Sequence, residues 1–200
     1  MAYHHGDARA ALLDAAASML EGQGASGISL RGVAEAAGLS RQAPYNHFAN
    51  KEAMLAELVG DGFAELLLRM NATVNPEPFA RLVAAADAYI AFGTERTALF
   101  RLMFARELVD VRRFPNVQAK ADATMACLRS VIEQITTPDL VADATLVFWS
   151  LIHGYTELCN EVGIEGPEKR SGRAELYARA VVGLEALRKA EPTSSSESPI

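Results

Sequence analysis

Cysteine is scarce in this chain, with two in 200 residues, Cys127 and Cys159. Their spacing fits neither a metal-ligand set nor a disulfide framework, so both are expected to be buried apolar thiols in a reducing compartment. Uncharged apolar runs long enough to span a bilayer are also missing. No positively charged flank leads into an apolar core near the first residue, so no signal peptide is expected. Together these absences predict a cytoplasmic chain with no membrane partner. There is no glycine-rich phosphate loop, nucleophile elbow, metal-ligand spacing or paired carboxylates in a recognisable context. Hence no enzyme activity, metal or cofactor is expected. Alternating strand patterns and internal repeats are lacking too.

Charge is unevenly placed. The net charge of −6 argues against a general polyanion binder. Residues 1–51, however, are balanced, with Arg9, Arg31, Arg41 and Lys51 against Asp7, Asp14, Glu21 and Glu35. That leaves 15 of the 19 basic and 21 of the 25 acidic side chains to the rest of the chain. Within residues 25–51 Arg31, Arg41 and Lys51 face Glu35 alone. A phosphate-facing surface is therefore expected near the N-terminus.

What is present is helical periodicity. Leu12, Ala15, Ala16, Met19 and Leu20 make one face of a first helix that stops near Gly22 and Gly24. Leu55, Leu58, Val59, Phe63, Leu66 and Met70 mark a long helix from Lys51, and Phe79, Leu82, Ala86, Tyr89 and Ile90 another, entered through Pro76 and Pro78. A short apolar helix is expected around 99–108, and one opened by Pro115 carries Val117, Ala121, Met125, Leu128, Ile132 and Ile135. Thr137 and Pro138 read as N-cap and first helical residue of a helix reaching about Val162. A last helix, 173–189, has Leu176, Ala180, Val181, Leu184 and Leu187 on one side. The fold class expected is all-α: a three-helix helix-turn-helix domain over residues 1–52, then an α-helical ligand-binding and dimerisation domain over 53–190. Residues 191–200, rich in Ser, Pro and Glu, have no core-forming pattern and are expected to be a disordered tail.

The chemistry concentrates in residues 28–51. Ser29 can cap a short helix, with Ile28 and Val33 spaced as a hydrophobic staple. Ala34 is small where two helices must cross, and Gly38 stands where a left-handed residue makes a tight turn. Leu39 anchors that turn and Ser40 is a strong N-cap for a second helix over 41–47. This is the helix-turn-helix pattern. The second helix offers Arg41, Gln42, Ala43, Pro44, Tyr45, Asn46 and His47, polar or aromatic residues that suit a groove better than a core. Arg41 and Gln42 can contact base edges in two places at once, and the Pro44 ring offers an apolar surface for a thymine methyl. Ser29, Arg31, Ser40, Tyr45, His47 and Lys51 complete the candidate DNA-contacting set, with Ser40, Tyr45, His47 and Lys51 suited to phosphate oxygens. The alternative for Arg41, Gln42 and Asn46 is an ordinary solvated face. His4 and His5 make a poor metal site and are better read as an N-terminal arm near DNA.

Several runs, Tyr3-His4-His5-Gly6-Asp7, Leu30-Arg31-x-Val33-Ala34, Ala37-Gly38-Leu39-Ser40 and Pro44-Tyr45-x-His47-Phe48-x-x-Lys51-Glu52, resemble the tetracycline-repressor (TetR) family. The resemblance covers about residues 5–55. It implies that the helix led by Ser40 lies in the major groove, that Tyr45, His47 and Lys51 touch the DNA backbone, and that the domain works as a two-fold dimer. Gly32 departs from the pattern, since Glu is common there, and removes the reciprocal capping box with Ser29. Leu99-Phe100-Arg101-Leu102-Met103-Phe104 and Phe148-Trp149-Ser150-Leu151-Ile152-His153-Gly154 resemble the TetR-type C-terminal domain named for its Trp, His and Gly.

The candidate effector-binding residues are Tyr89, Phe92, Phe100, Met103, Phe104, Trp149 and His153. For Phe92, Phe100, Met103 and Phe104 plain core is the commoner reading, and for Trp149 and His153 a core pair with a satisfied imidazole is at least as good a reading. Arg101 and Arg106 could meet an anionic ligand, although surface pairing is the commoner fate. The helix over 138–162 is apolar on two sides, the second formed by Leu140, Val147, Gly154 and Leu158, and predicts a four-helix homodimer interface with the helix over 173–189. The function expected is a ligand-responsive transcriptional regulator, by resemblance a repressor, whose partners are palindromic double-stranded operator DNA, an unknown small-molecule effector and a second copy of the chain. An enzyme is the strongest competing class, against which the missing catalytic motifs count. A helical adaptor binding protein instead of DNA is the second, and predicts no salt-dependent DNA affinity.

Overall fold

The computed structural model describes residues 5–72, 77–164 and 170–189. The Tyr3-His4 lead and the tail over 191–200 therefore lie outside the described residues. Helices α1 (His5–Gln23), α2 (Leu30–Ala36), α3 (Ala43–His47) and α4 (Lys51–Asn71) are followed by α5 (Pro78–Glu95), α6 (Thr97–Phe104), α7 (Pro115–Ile132), α8 (Val141–Val162) and α9 (Arg170–Lys189). Among the described residues there is no strand, and no helix is long and apolar enough to cross a membrane.

One apolar cluster runs from Leu12 in α1 to Val181 in α9. The N-terminal unit packs Leu12, Ala16 and Leu20 of α1 with Ile28, Val33, Ala34 and Phe48. Helix α4 belongs to both halves: it begins beside α1, then runs between α5, α6 and α7 with Leu55, Val59 and Leu66 almost wholly buried. Asn50 caps it, its side-chain oxygen accepting the Ala53 N–H at 2.8 Å. Helices α5, α8 and α9 pack together as the other half of the C-terminal unit.

Ion pairs cross the junction between the halves. Arg96, between α5 and α6, lies 3.3 Å from Glu21 of α1 and 3.6 Å from Glu65 of α4. Glu65 also holds Arg69, which reaches Glu95 at 2.7 Å and places its guanidinium over the Phe92 ring. Arg113 meets Glu52 at the start of α4 at 2.6 Å.

Four element boundaries or faces differ from the sequence reading. The short apolar helix stops at Phe104, because Ala105 leaves the helical region and residues 106–108 form a turn that tucks Val109 inside. Helix α7 ends at Ile132, so Ile135 falls in the turn after it. Helix α8 begins three residues after Pro138: the Thr137 carbonyl accepts the Leu140 N–H at 2.9 Å, closing a turn around the proline. The Thr137 hydroxyl is buried without a partner and caps nothing. In α9 the interior face is Ala174, Ala178 and Val181, with Leu176 half exposed and Leu187 outside the described side chains.

Candidate nucleic-acid interface and interior cavity

The turn between α2 and α3 follows from three residues. The Ser29 hydroxyl accepts the Gly32 N–H at 3.1 Å and starts α2. Gly38 takes φ +66°, a left-handed conformation that favours glycine. This lets the Leu39 N–H reach the Ala34 carbonyl at 2.8 Å and the Gly38 N–H reach the Glu35 carbonyl at 3.0 Å, so the helix end is closed by two reversed bonds. Gly32 has a packing reason of its own. A Cβ there would lie 3.1 Å from the Ser29 oxygen and 3.3 Å from Met19 Cε of α1, tighter than ordinary contact.

Helix α3 begins at Ala43, two residues later than the sequence pattern implies, with Gln42 at its N-cap and no side-chain cap bond. Ser40 contributes its carbonyl, which accepts the Ala43 N–H at 2.9 Å, and Arg41 and Gln42 form the intervening turn. Ser29, Arg31, Ser40, Arg41, Gln42, Tyr45 and Asn46 are exposed, and Ala43 and His47 are half-buried. Tyr45, whose ring could have been core, is 56% exposed. Pro44 is a correction: its ring is buried, so it packs α3 onto the domain and offers no face to a thymine methyl. Lys51 is half-buried, and its ammonium donates to the Ala25 carbonyl at 2.9 Å, tying the start of α4 to the turn after α1. Phosphate contact from Lys51 would have to use its remaining N–H donors.

The second feature lies inside the C-terminal unit. The Tyr89 hydroxyl of α5 sits 2.8 Å from Nδ1 of His153 on α8 and accepts the Trp149 indole N–H at 3.2 Å. Because indole is only a donor, the Tyr89 proton is free to go to an unprotonated Nδ1. Burial pushes the Tyr89 phenol well above its usual range and pushes the His153 imidazole down, with Glu157 opposing the latter shift. The Phe104 ring stands edge-on to His153, centroids 4.5 Å apart.

Beside this group is a small apolar cavity of about 30 Å³, lined by Phe63 and Leu66 of α4, Tyr89 of α5, Phe104 of α6, four residues of α7 (Ala121, Thr124, Met125 and Leu128) and Trp149 of α8. Of the seven sequence-chosen pocket residues, Tyr89, Phe104 and Trp149 line it. The others do not. Phe92 and Phe100 are fully buried core, Met103 packs against Gly62 of α4, and His153 is hydrogen-bonded to the lining residue Tyr89. Arg101 pairs with Glu161 at 2.6 Å. Both cysteines are free and half-buried, Cys127 against Asn71, with burial raising the Cys127 thiol.

The described residues 12–58 match the family model of bacterial regulatory proteins of the tetR family, and residues 82–184 match the tetracyclin repressor-like C-terminal domain. The chain belongs to the tetracycline-repressor family. It is thus a TetR-family, DNA-binding transcriptional regulator. No functionally curated protein matches it. Among solved structures, a protein of unknown function from Rhodococcus sp. RHA1 is similar at 26% identity with a TM-score of 0.74, covering 89% of this chain and 97% of that one. The TetR-family regulator PfmR from Thermus thermophilus is similar in fold at 22% identity and TM-score 0.64, covering 86% and 96% of the two chains. A tetR-family regulatory protein from Rhodococcus RHA1 gives 21% identity and TM-score 0.71 over 87% and 96%.

Proposed function

We propose that this TetR-family regulator is a ligand-responsive repressor that binds a palindromic operator as a homodimer. The observation that carries the reading is the row of exposed Ser40, Arg41, Gln42, Tyr45 and Asn46 on and before α3, held by a rigid glycine turn. Arg41 and Gln42 read base edges, while Ser29, Ser40 and Tyr45 position the domain on phosphates. Dimerisation is supported by Leu158 and Leu176, each about half exposed on α8 and α9, and by Gly154 and Gly183, beside which a Cβ would meet nothing. A two-fold pair of such domains presents its α3 helices about one DNA turn apart, ~34–36 Å.

Helix α4 joins the two functions. Phe63 and Leu66 line the cavity, and Lys51 at the other end of α4 is bonded to the N-terminal unit. A molecule that enlarges the cavity displaces α4 and changes the spacing of the paired α3 helices. A coupling of ~1–3 kcal/mol changes operator affinity several-fold to a hundredfold. Footprinting across the DNA flanking the chain's own gene, in a salt series, tests the reading. Two protected half-sites one turn apart, weakening steeply with salt, are expected. If selection from genomic DNA yields no preferred sequence, the operator reading is wrong.

A further inference from the structure

We propose, building on the regulator reading, that the cavity beside Trp149 takes an uncharged, mainly apolar single-ring compound, with the Trp149 and Tyr89 side chains as its recognising surfaces. No charged side chain lines the cavity. Its polar atoms are already partnered within the protein. The Thr124 hydroxyl lies 3.0 Å from the Lys120 carbonyl and 3.3 Å from that of Phe63, and the Trp149 N–H is held by Tyr89. An ionised ligand would lose its hydration and gain no counter-charge, which disfavours it strongly. An apolar ring loses little and gains the hydrophobic and dispersion contribution of burial.

The wall favours a flat solute. Phe63 and Phe104 meet edge to face at 6.0 Å, and Phe104 and Trp149 are tilted at 6.2 Å, leaving faces and edges at the angles aromatic groups prefer. A volume of about 30 Å³ is water-sized, so entry requires side chains to move. The means are present on one side. Phe63, Leu66, Tyr89, Thr124 and Leu128 are buried, whereas Phe104, Ala121, Met125 and Trp149 are half-buried and mark the side toward solvent. Met125, unbranched, readily adopts other rotamers. Each further ring would need more of the buried wall of Phe63, Leu66 and Leu128 to move, which disfavours a larger polycycle.

Trp149 is the chain's only tryptophan, so its fluorescence reports the cavity directly. The full-length protein is titrated with toluene and p-cresol, and in parallel with benzoate and 4-hydroxybenzoate, carboxylates of nearly the same shape. Saturable changes are expected for the neutral pair, at least about tenfold tighter than for the anions. Filling the space by Ala121→Leu, or by Met125→Phe should the first variant fail to fold, is expected to remove the response while the unfolding midpoint is kept. The proposal is overturned by no saturable response to either neutral ring, by anions binding as tightly, or by an undiminished response in the folded filled variant. Retention of selected DNA is measured on the same samples without ligand. Its loss would sink the regulator reading and leave the cavity result standing, so the two failures are told apart.

Discussion

Gly93 of α5 and Thr156 of α8 meet so closely that a Cβ on the glycine would overlap the threonine methyl. The same Cβ would lie 3.1 Å from two carbons of the Phe100 ring. Neither neighbour yields easily, because the Thr156 hydroxyl is fixed on the Ile152 carbonyl at 2.7 Å and Phe100 is wholly buried. The Gly93 carbonyl in turn accepts the Asn160 side-chain N–H at 3.1 Å. Gly93→Ala is therefore expected to destabilise the fold by about 1–3 kcal/mol through overpacking, despite alanine's better helix propensity. Urea unfolding of the variant measures this. An unchanged or raised midpoint would mean the two helices separate at little cost.

His153 gives a pH prediction. Burial lowers its folded-state value below the ordinary 6.5, with Glu157 opposing the shift. The neutral imidazole, accepting from Tyr89, then contributes stability that is present above 6.5 and is lost as pH falls through the lower folded value. The thermal midpoint should drop between about pH 8 and about pH 5 more steeply in the parent than in His153→Asn, which cannot titrate there. Identical slopes would remove His153 from the account.

Much of this architecture was legible because helical periodicity survives in every long segment, and because a glycine turn leaves a local signature. Ser29, Val33, Ala34 and Gly38 sit where the pattern put them, since each answers to neighbours within a few residues. Boundaries next to proline were less legible. Thr137 with Pro138 has the chemistry of a cap, yet the chain makes a separate turn there before α8. Pro44 lies in the first turn of α3, but its sequence position does not tell which way the ring faces. The cavity was the least legible, because five helices contribute to it. Phe100 and Phe104 are alike in sequence, one turn apart on α6. Only the packing of α4 and α8 makes the first core and the second wall.

Arg41→Ala separates DNA reading from folding. Arg41 is exposed in the turn before α3, so its loss should change stability by no more than ~0.5 kcal/mol. If its guanidinium reaches a base, affinity for selected DNA should weaken by ~1–3 kcal/mol and discrimination should relax at one position of each half-site. Uniform weakening with a shallower salt slope would make it a phosphate contact instead. Unchanged binding would take it out of the interface.

The homodimer reading gives the last test. Leu158 and Leu176 are 51% and 50% exposed, on adjacent helices that also leave open space beside Gly154 and Gly183. A free surface of this kind costs solubility unless another apolar surface covers it. Replacing both leucines, Leu158→Glu with Leu176→Glu, sets like charges on facing copies without touching the interior cluster. Sedimentation is expected to show a monomer where the parent is a dimer, with helix content retained. DNA affinity should fall much further than any single contact explains, because each half-site then binds alone and the linked second binding event is lost. A dimer that survives both substitutions would place the interface elsewhere on the molecule and separate the α8–α9 face from operator spacing.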